Sequence, residues 1–166
     1  MEQKYLDLIE ETRVLQYPYK IQPPASIDEV EELRAKAARE LNYSLPTFYL
    51  DLLQITDGIA CNGNQLYGSS PRKIAGFEDR EGHMILGLVD ANLIWREYAP
   101  NNQYIFFAES GDRLYCHNLI NGKFESVDRI TKELTYAPSS FDTCEELLEL
   151  LLNHMLDRYG EEDGEE

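Results

Sequence analysis

Three cysteines in 166 residues, Cys61, Cys116 and Cys144, is few, and their number is odd. Their spacings are wide and no CxxC pair exists, so neither a zinc ribbon nor a thioredoxin-type redox site is supported. Basic residues are also scarce. Fifteen Lys and Arg stand against 31 Asp and Glu, a formal charge of -16 at pH 7. Such a surface repels a phosphate backbone, which argues against nucleic acid as a partner. Long apolar runs are missing too. The longest cluster, Leu147 to Leu152, is interrupted by Glu149 and is too short for a bilayer, so no membrane association is expected. Met1-Glu2-Gln3-Lys4 does not begin a secretion signal. These absences together predict a cytoplasmic protein with free thiols.

Catalytic motifs are equally sparse. Gly58, Gly63 and Gly68 are spaced without the helix that a phosphate-binding loop requires. The histidines, His83, His117 and His154, are scattered along the chain. His117 follows Cys116 in a predicted strand, where alternation sends the two side chains to opposite faces, which argues against one metal between them. A buried cysteine behaves as a small hydrophobe unless something activates it. Glu109 and Asp112 share a turn and read as solvated carboxylates rather than an acid–base pair. The expectation is therefore no catalytic residue, no metal and no cofactor.

What is present is the composition of a folded chain. Hydrophobic residues make up 43% and charged residues 28%, and the length suffices for one domain with a proper core. The acidity is concentrated after residue 100. Part of it is the tail Glu161-Glu162-Asp163-Gly164-Glu165-Glu166, which reads as a solvated end. The tail supplies only a minority of the carboxylates, so the folded surface is acidic as well, suited to attracting a basic partner.

Periodicity predicts a helix over 2–16, with Tyr5, Leu8, Ile9, Thr12 and Leu15 on one side. Three prolines in 17–24 then make an extended strap. Ser26 and Glu29 form a capping box for a second helix, whose buried stripe is Ile27, Val30, Leu33, Ala37 and Leu41, with Asn42 as its stop. Pro46 falls in the first turn of a third helix, and Asp57-Gly58 ends it through a left-handed glycine. Cys61-Asn62-Gly63-Asn64 is turn chemistry, Gln65 to Gly68 a short strand, and 69–82 a long surface loop with a strand near Lys73 to Ala75. Leu88, Ala91, Ile94, Trp95 and Tyr98 define a fourth helix that Pro100 ends. Residues 104–108 and 113–119 read as paired strands. Asn121-Gly122 is a type I′ hairpin signal leading to a strand at 123–128, with another at 133–137. The last helix spans about 141–159, capped by Ser140 or by Asp142 with Glu145. This order predicts an α+β fold, with helices packed on a mostly antiparallel sheet.

The series Ser26-x-x-Glu29, Leu41, Leu45-Pro46-x-x-Tyr49-x-x-Leu52-Leu53 and Asp57-Gly58 resembles the N-terminal signature of the SUKH superfamily. That family includes the yeast cell-wall assembly regulator and many bacterial immunity proteins. Its usual form has Phe where Leu52 stands and Asn where Asp57 stands. Gly111-Asp112 ahead of Leu114-Tyr115-Cys116 resembles the lead-in to its middle strand. Ser140-Phe141 ahead of Glu145-Glu146-Leu147-Leu148 resembles the start of its last helix. The resemblance spans about 26–155. It implies a single SUKH-like domain over 1–160 followed by the acidic tail 161–166. It further implies a non-catalytic immunity protein that binds and neutralises a toxin, often a nuclease and hence basic. The alternative within the family is a regulatory scaffold holding a cellular protein. Trp95, Glu109, Asp112 and the Asp57-Gly58 corner are the expected contact residues.

Overall fold

The computed structural model describes residues 1–15 and 22–159. Most of the expected strap, and the acidic tail, lie outside the described residues.

The first helix, α1 (Gln3–Val14), buries Tyr5, Leu8, Ile9 and Thr12. Helix α2 (Ile27–Leu41) opens on the expected capping box. Ser26 Oγ accepts from the Glu29 amide at 3.1 Å, and Glu29 Oε1 accepts from the Ser26 amide at 2.8 Å. Asn42, at φ 52°, ends it. Ile27 does not join the stripe. It sits at the first helical position, 70% exposed, and burial begins at Val30.

Helix α3 (Thr47–Leu53) starts one residue later than expected, with Pro46 as its N-cap, and stops well short of Gly58. The chain leaves the helix because better partners wait in the 22–25 segment. The Asp57 amide donates to Pro23 O at 2.9 Å and the Ala25 amide to Leu53 O at 2.8 Å. Gly58 does have positive φ, +90°, but it leads into a strand rather than capping a helix. A Cβ there would lie 2.7 Å from Ile85 Cγ2, so the position is closed to larger residues.

Strands β1 (Ile59–Cys61) and β2 (Asn64–Leu66) form a hairpin across Asn62-Gly63, both at positive φ, with Cys61 opposite Asn64. The two-residue turn expected at Asn121-Gly122 is thus found at Asn62-Gly63. At the former only Gly122 has positive φ. Asn118 Oδ1 instead accepts from the Ile120 and Asn121 amides and builds a longer loop. Strands β3 (Arg72–Lys73) and β4 (Met84–Ile85) make a separate two-stranded arm. Helix α4 (Leu88–Trp95) follows, and Pro100 lies inside a 3-10 turn, Ala99–Gln103, rather than ending the helix.

Strands β5 (Tyr104–Glu109), β6 (Arg113–Asn118) and β7 (Phe124–Asp128) form the meander. With β8 (Ser140–Phe141) they complete an antiparallel sheet in the order β1-β2-β5-β6-β7-β8. The strand expected at 133–137 reduces to one bridge between Leu134 and Val127. Helix α5 (Cys144–Met155) is capped by Thr143 with Glu146, one residue beyond the box expected at Asp142. Asp142 instead pairs with Lys123. Helix α5 packs on β6, β7 and β8 together with α1 and α3. The fold is α+β, with helices on a mostly antiparallel sheet.

Helix α4 solves a pairing problem. Strand β2 reaches only the Ala108–Glu109 end of β5, and a bulge interrupts β5 between Phe106 and Ala108. The Asn92 side chain takes the place of a strand there. It accepts from the Phe106 amide and donates to the Phe106 carbonyl, each at 2.8 Å. Asn92 therefore faces inward, and Ile94 and Tyr98, expected on the buried side, point outward at 59% and 65% exposure.

His154, buried near the C-terminal end of α5, adds a pH dependence. Its Nδ1 shares a hydrogen bond with the Tyr115 hydroxyl at 2.6 Å, Arg113 Nη1 lies 3.3 Å from both ring nitrogens, and the Tyr159 ring stacks at 4.5 Å. Burial, reinforced by the Arg113 charge, lowers its pKa to about 4 from an ordinary 6.5. The unfolded chain therefore takes up this proton first as pH falls. The neutral imidazole's contribution is full above pH 6.5 and disappears between 6.5 and about 4. At about 1.4 kcal/mol per pKa unit it amounts to about 3 kcal/mol. Urea unfolding from pH 7 to 4.5 is expected to show this loss, and His154→Gln is expected to flatten it. Equal pH slopes for the two proteins would contradict the assignment.

Candidate functional site

The five residues expected to contact a partner divide into two groups. Asp57 and Gly58 are buried, and this corrects their assignment to a contact surface. Asp57 is an internal anchor. Its Oδ1 accepts from the Ser69 amide and its Oδ2 from the Ser69 hydroxyl, both at 2.7 Å, and Oδ2 also pairs with the Arg72 guanidinium. Arg72 reaches on to Glu29 at 3.4 Å. One carboxylate thus ties the arm that leaves β2 to the start of α2. Gly68 permits this closeness, since a Cβ there would lie 2.9 Å from Asp57 Oδ1.

Trp95, Glu109 and Asp112 are brought into one corner, where α4 meets the β5–β6 turn. Trp95 is half-buried and its ring packs on Phe106 at 5.5 Å. Its Nε1 donates to the Tyr67 hydroxyl at 3.0 Å, and that hydroxyl donates to Glu109 Oε1 at 2.6 Å. Burial, then the neighbouring carboxylate, pushes the Tyr67 hydroxyl well above its ordinary pKa, so it remains a donor. Arg129 closes the corner. Its Nη1 donates to Ser110 O at 2.7 Å, lies 3.4 Å from Glu109 Oε2, and its guanidinium stands 5.0 Å from the Trp95 ring centre. The Arg129 amide donates to Asp112 O at 2.9 Å, while the Asp112 side chain is exposed and accepts from Ser110 Oγ. Ile130, beside Arg129, is 87% exposed. Tyr67 and Arg129 escaped the sequence reading. Tyr67 directly follows the short strand β2 and Arg129 directly follows a later strand, and neither has a spacing that ties it to Trp95.

Beside this corner lies an open cleft of about 610 Å³. One wall is the β5–β6 turn with Glu109, Ser110 and Arg129. The other is Gly82, His83 and Met84 of the β3–β4 arm, with Ala60 and Ile74 between. His83 stacks on Phe77 at 5.2 Å, and Arg80 covers the same ring at 5.4 Å.

Burial raises the pKa of all three thiols, leaving little thiolate at neutral pH. His117 is tied by the Tyr43 hydroxyl at Nδ1, 2.7 Å, and by Gly122 O at Nε2, 3.2 Å. Among the described residues no group of three or more His, Cys, Asp or Glu is placed to hold a metal ion. No helix among them is long and apolar enough to cross a membrane.

No protein-family model matches the chain, and no curated protein matches it.

Proposed function

We propose that this protein is a non-catalytic binding module, an immunity-type protein that neutralises a basic toxin domain by direct contact. The observation that carries this reading is an aromatic–charge corner on a strongly acidic body. Trp95 and Arg129 are of the residue types that dominate binding energy at protein interfaces, and they stand beside Glu109, Asp112 and exposed Ile130. The surrounding charge of -16 speeds encounter with a basic partner and disfavours acidic ones. A nuclease is a fitting target, because its active site is built to receive negative charge.

The test is capture and rescue. Toxin domains encoded beside the gene are expressed with and without this protein. Stable capture together with restored growth is the expected result. Capture of a non-toxic cellular protein alone would favour the scaffold reading, and absence of both would refute the proposal.

A further inference from the structure

We infer that the β3–β4 arm is a lid: residues 73–85 open from the body as one unit while the root, 68–72, stays anchored. This goes beyond the binding-module reading and does not depend on it.

The arm has a narrow neck. The chain leaves the body at Gly68 and returns at Gly87, and these two residues are bridged to each other. The Gly68 amide donates to Leu86 O and the Leu88 amide to Gly68 O, each at 2.9 Å. Both sides of the neck are tight. A Cβ on Gly68 would lie 2.9 Å from Asp57 Oδ1, and one on Gly87 would lie 2.7 Å from Asp90 Oδ2. Just past the neck, Asp57 grips Ser69 and Arg72. An excursion whose two ends are held together can open without parting the elements it connects.

Past Arg72 the arm has a structure of its own. Its strands β3 and β4 pair in a sheet separate from the six-stranded one. The Ile74 amide donates to His83 O at 2.9 Å, and the Phe77 ring stacks on His83 with Arg80 over it. Ile74, Ile85 and half-buried Phe77 close on Ala60 of β1 as a small second core, apart from the main one. Side-chain amides tie this part to the body. Gln65 Nε2 donates to Met84 O at 3.0 Å, and Gln65 Oε1 accepts from the Leu86 amide at 2.8 Å. Gln22 Oε1 accepts from the Ala75 amide at 3.2 Å. Opening therefore breaks side-chain bonds and one small apolar cluster, and it leaves the six-stranded ladder whole. A unit that buries so little opens far more often than the fold as a whole.

The consequence falls on the cleft. The arm supplies the wall at Gly82, His83 and Met84, and Ile74 between the walls. Opening widens the cleft and bares Ala60 and the Gln65 amide on the β1–β2 hairpin.

The test is amide hydrogen exchange on the 15N-labelled full chain. The Ile74, Ala75 and Phe77 amides are expected to share one opening constant, about a hundredfold or more above that of the Leu114, Tyr115 and Cys116 amides in β6. The neck amides of Gly68 and Leu88 are expected to stay closed with β6. Low urea is expected to speed exchange in β6 and leave the arm nearly unchanged, because opening the arm exposes little surface. Gln65→Met keeps the side-chain length and removes both amide bonds. It is expected to raise exchange of the three arm amides about tenfold with β6 unchanged. Arm amides as protected as β6, or as steeply dependent on urea, would overturn the lid. Neck amides that open together with the arm would overturn the anchored root, and arm exchange unmoved by Gln65→Met would overturn the latch.

Discussion

Replacing Asp57 with alanine is expected to lower stability by about 3–5 kcal/mol, the range for breaking a buried charge pair by removing one partner. Asp57 is fully buried and satisfies three donors at once, the Ser69 amide, the Ser69 hydroxyl and the Arg72 guanidinium. Alanine leaves the Ser69 donors and the inner side of Arg72 unpaired against protein. The effect belongs to a network, so it should not add. Arg72→Met removes the cation that Asp57 neutralises, and the double variant is expected to cost less than the two single changes together. Urea denaturation measures all three. A loss below about 1 kcal/mol for Asp57→Ala would remove its role as anchor.

Replacing Tyr49 with alanine is expected to cost about 3–5 kcal/mol for a different reason, the cavity left by a buried aromatic ring. Tyr49 has no exposed surface and its ring meets Phe107 edge-on at 5.3 Å. Its hydroxyl donates to Tyr67 O at 2.6 Å. Burial holds that hydroxyl well above its ordinary pKa, so the bond persists across the working pH range. Tyr49→Phe separates the two contributions. It keeps the packing, leaves one carbonyl unpaired, and is expected to cost about 1–2 kcal/mol. Equal losses for the two variants would mean the hydroxyl, and not the ring, holds α3 to the sheet.

These two residues show where sequence reasoning succeeded and where it failed. The stripe containing Tyr49, Leu52 and Leu53 is legible because helical period reports burial directly, and all three are buried. The capping box at Ser26 and Glu29 is legible because its chemistry is local. Asp57 was misplaced because a polar residue before glycine signals an exposed turn. Here the partner that makes burial tolerable, Arg72, arrives from a later arm. The hairpin at Asn62-Gly63 was undervalued for a similar reason. Two Asn-Gly pairs are alike locally, and the Asn118 side chain converts the second into a longer loop. Asn92 gave no signal, since its function is to complete a strand that the sequence does not show to be interrupted.

The candidate site was half legible. Trp95, Glu109 and Asp112 were singled out by residue type, and the fold brings them to one corner. The residues that join them, Tyr67 and Arg129, come from different elements and are tied only in three dimensions. Asp57 still bears on the corner indirectly. It fixes Ser69, and Tyr67, two residues before it, carries the hydroxyl shared by Trp95 and Glu109.

The central claim is that an acidic body with the Trp95–Glu109 corner holds a basic protein partner. The most direct measurement is calorimetric titration of a basic toxin domain encoded beside the gene, at 50 and at 300 mM salt, with the wild-type chain and with Trp95→Ala. The account predicts binding that weakens by about tenfold or more at the higher salt and by about a further tenfold in Trp95→Ala, with the variant still folded. Binding that is indifferent to both salt and Trp95, or no binding at either salt, would contradict it.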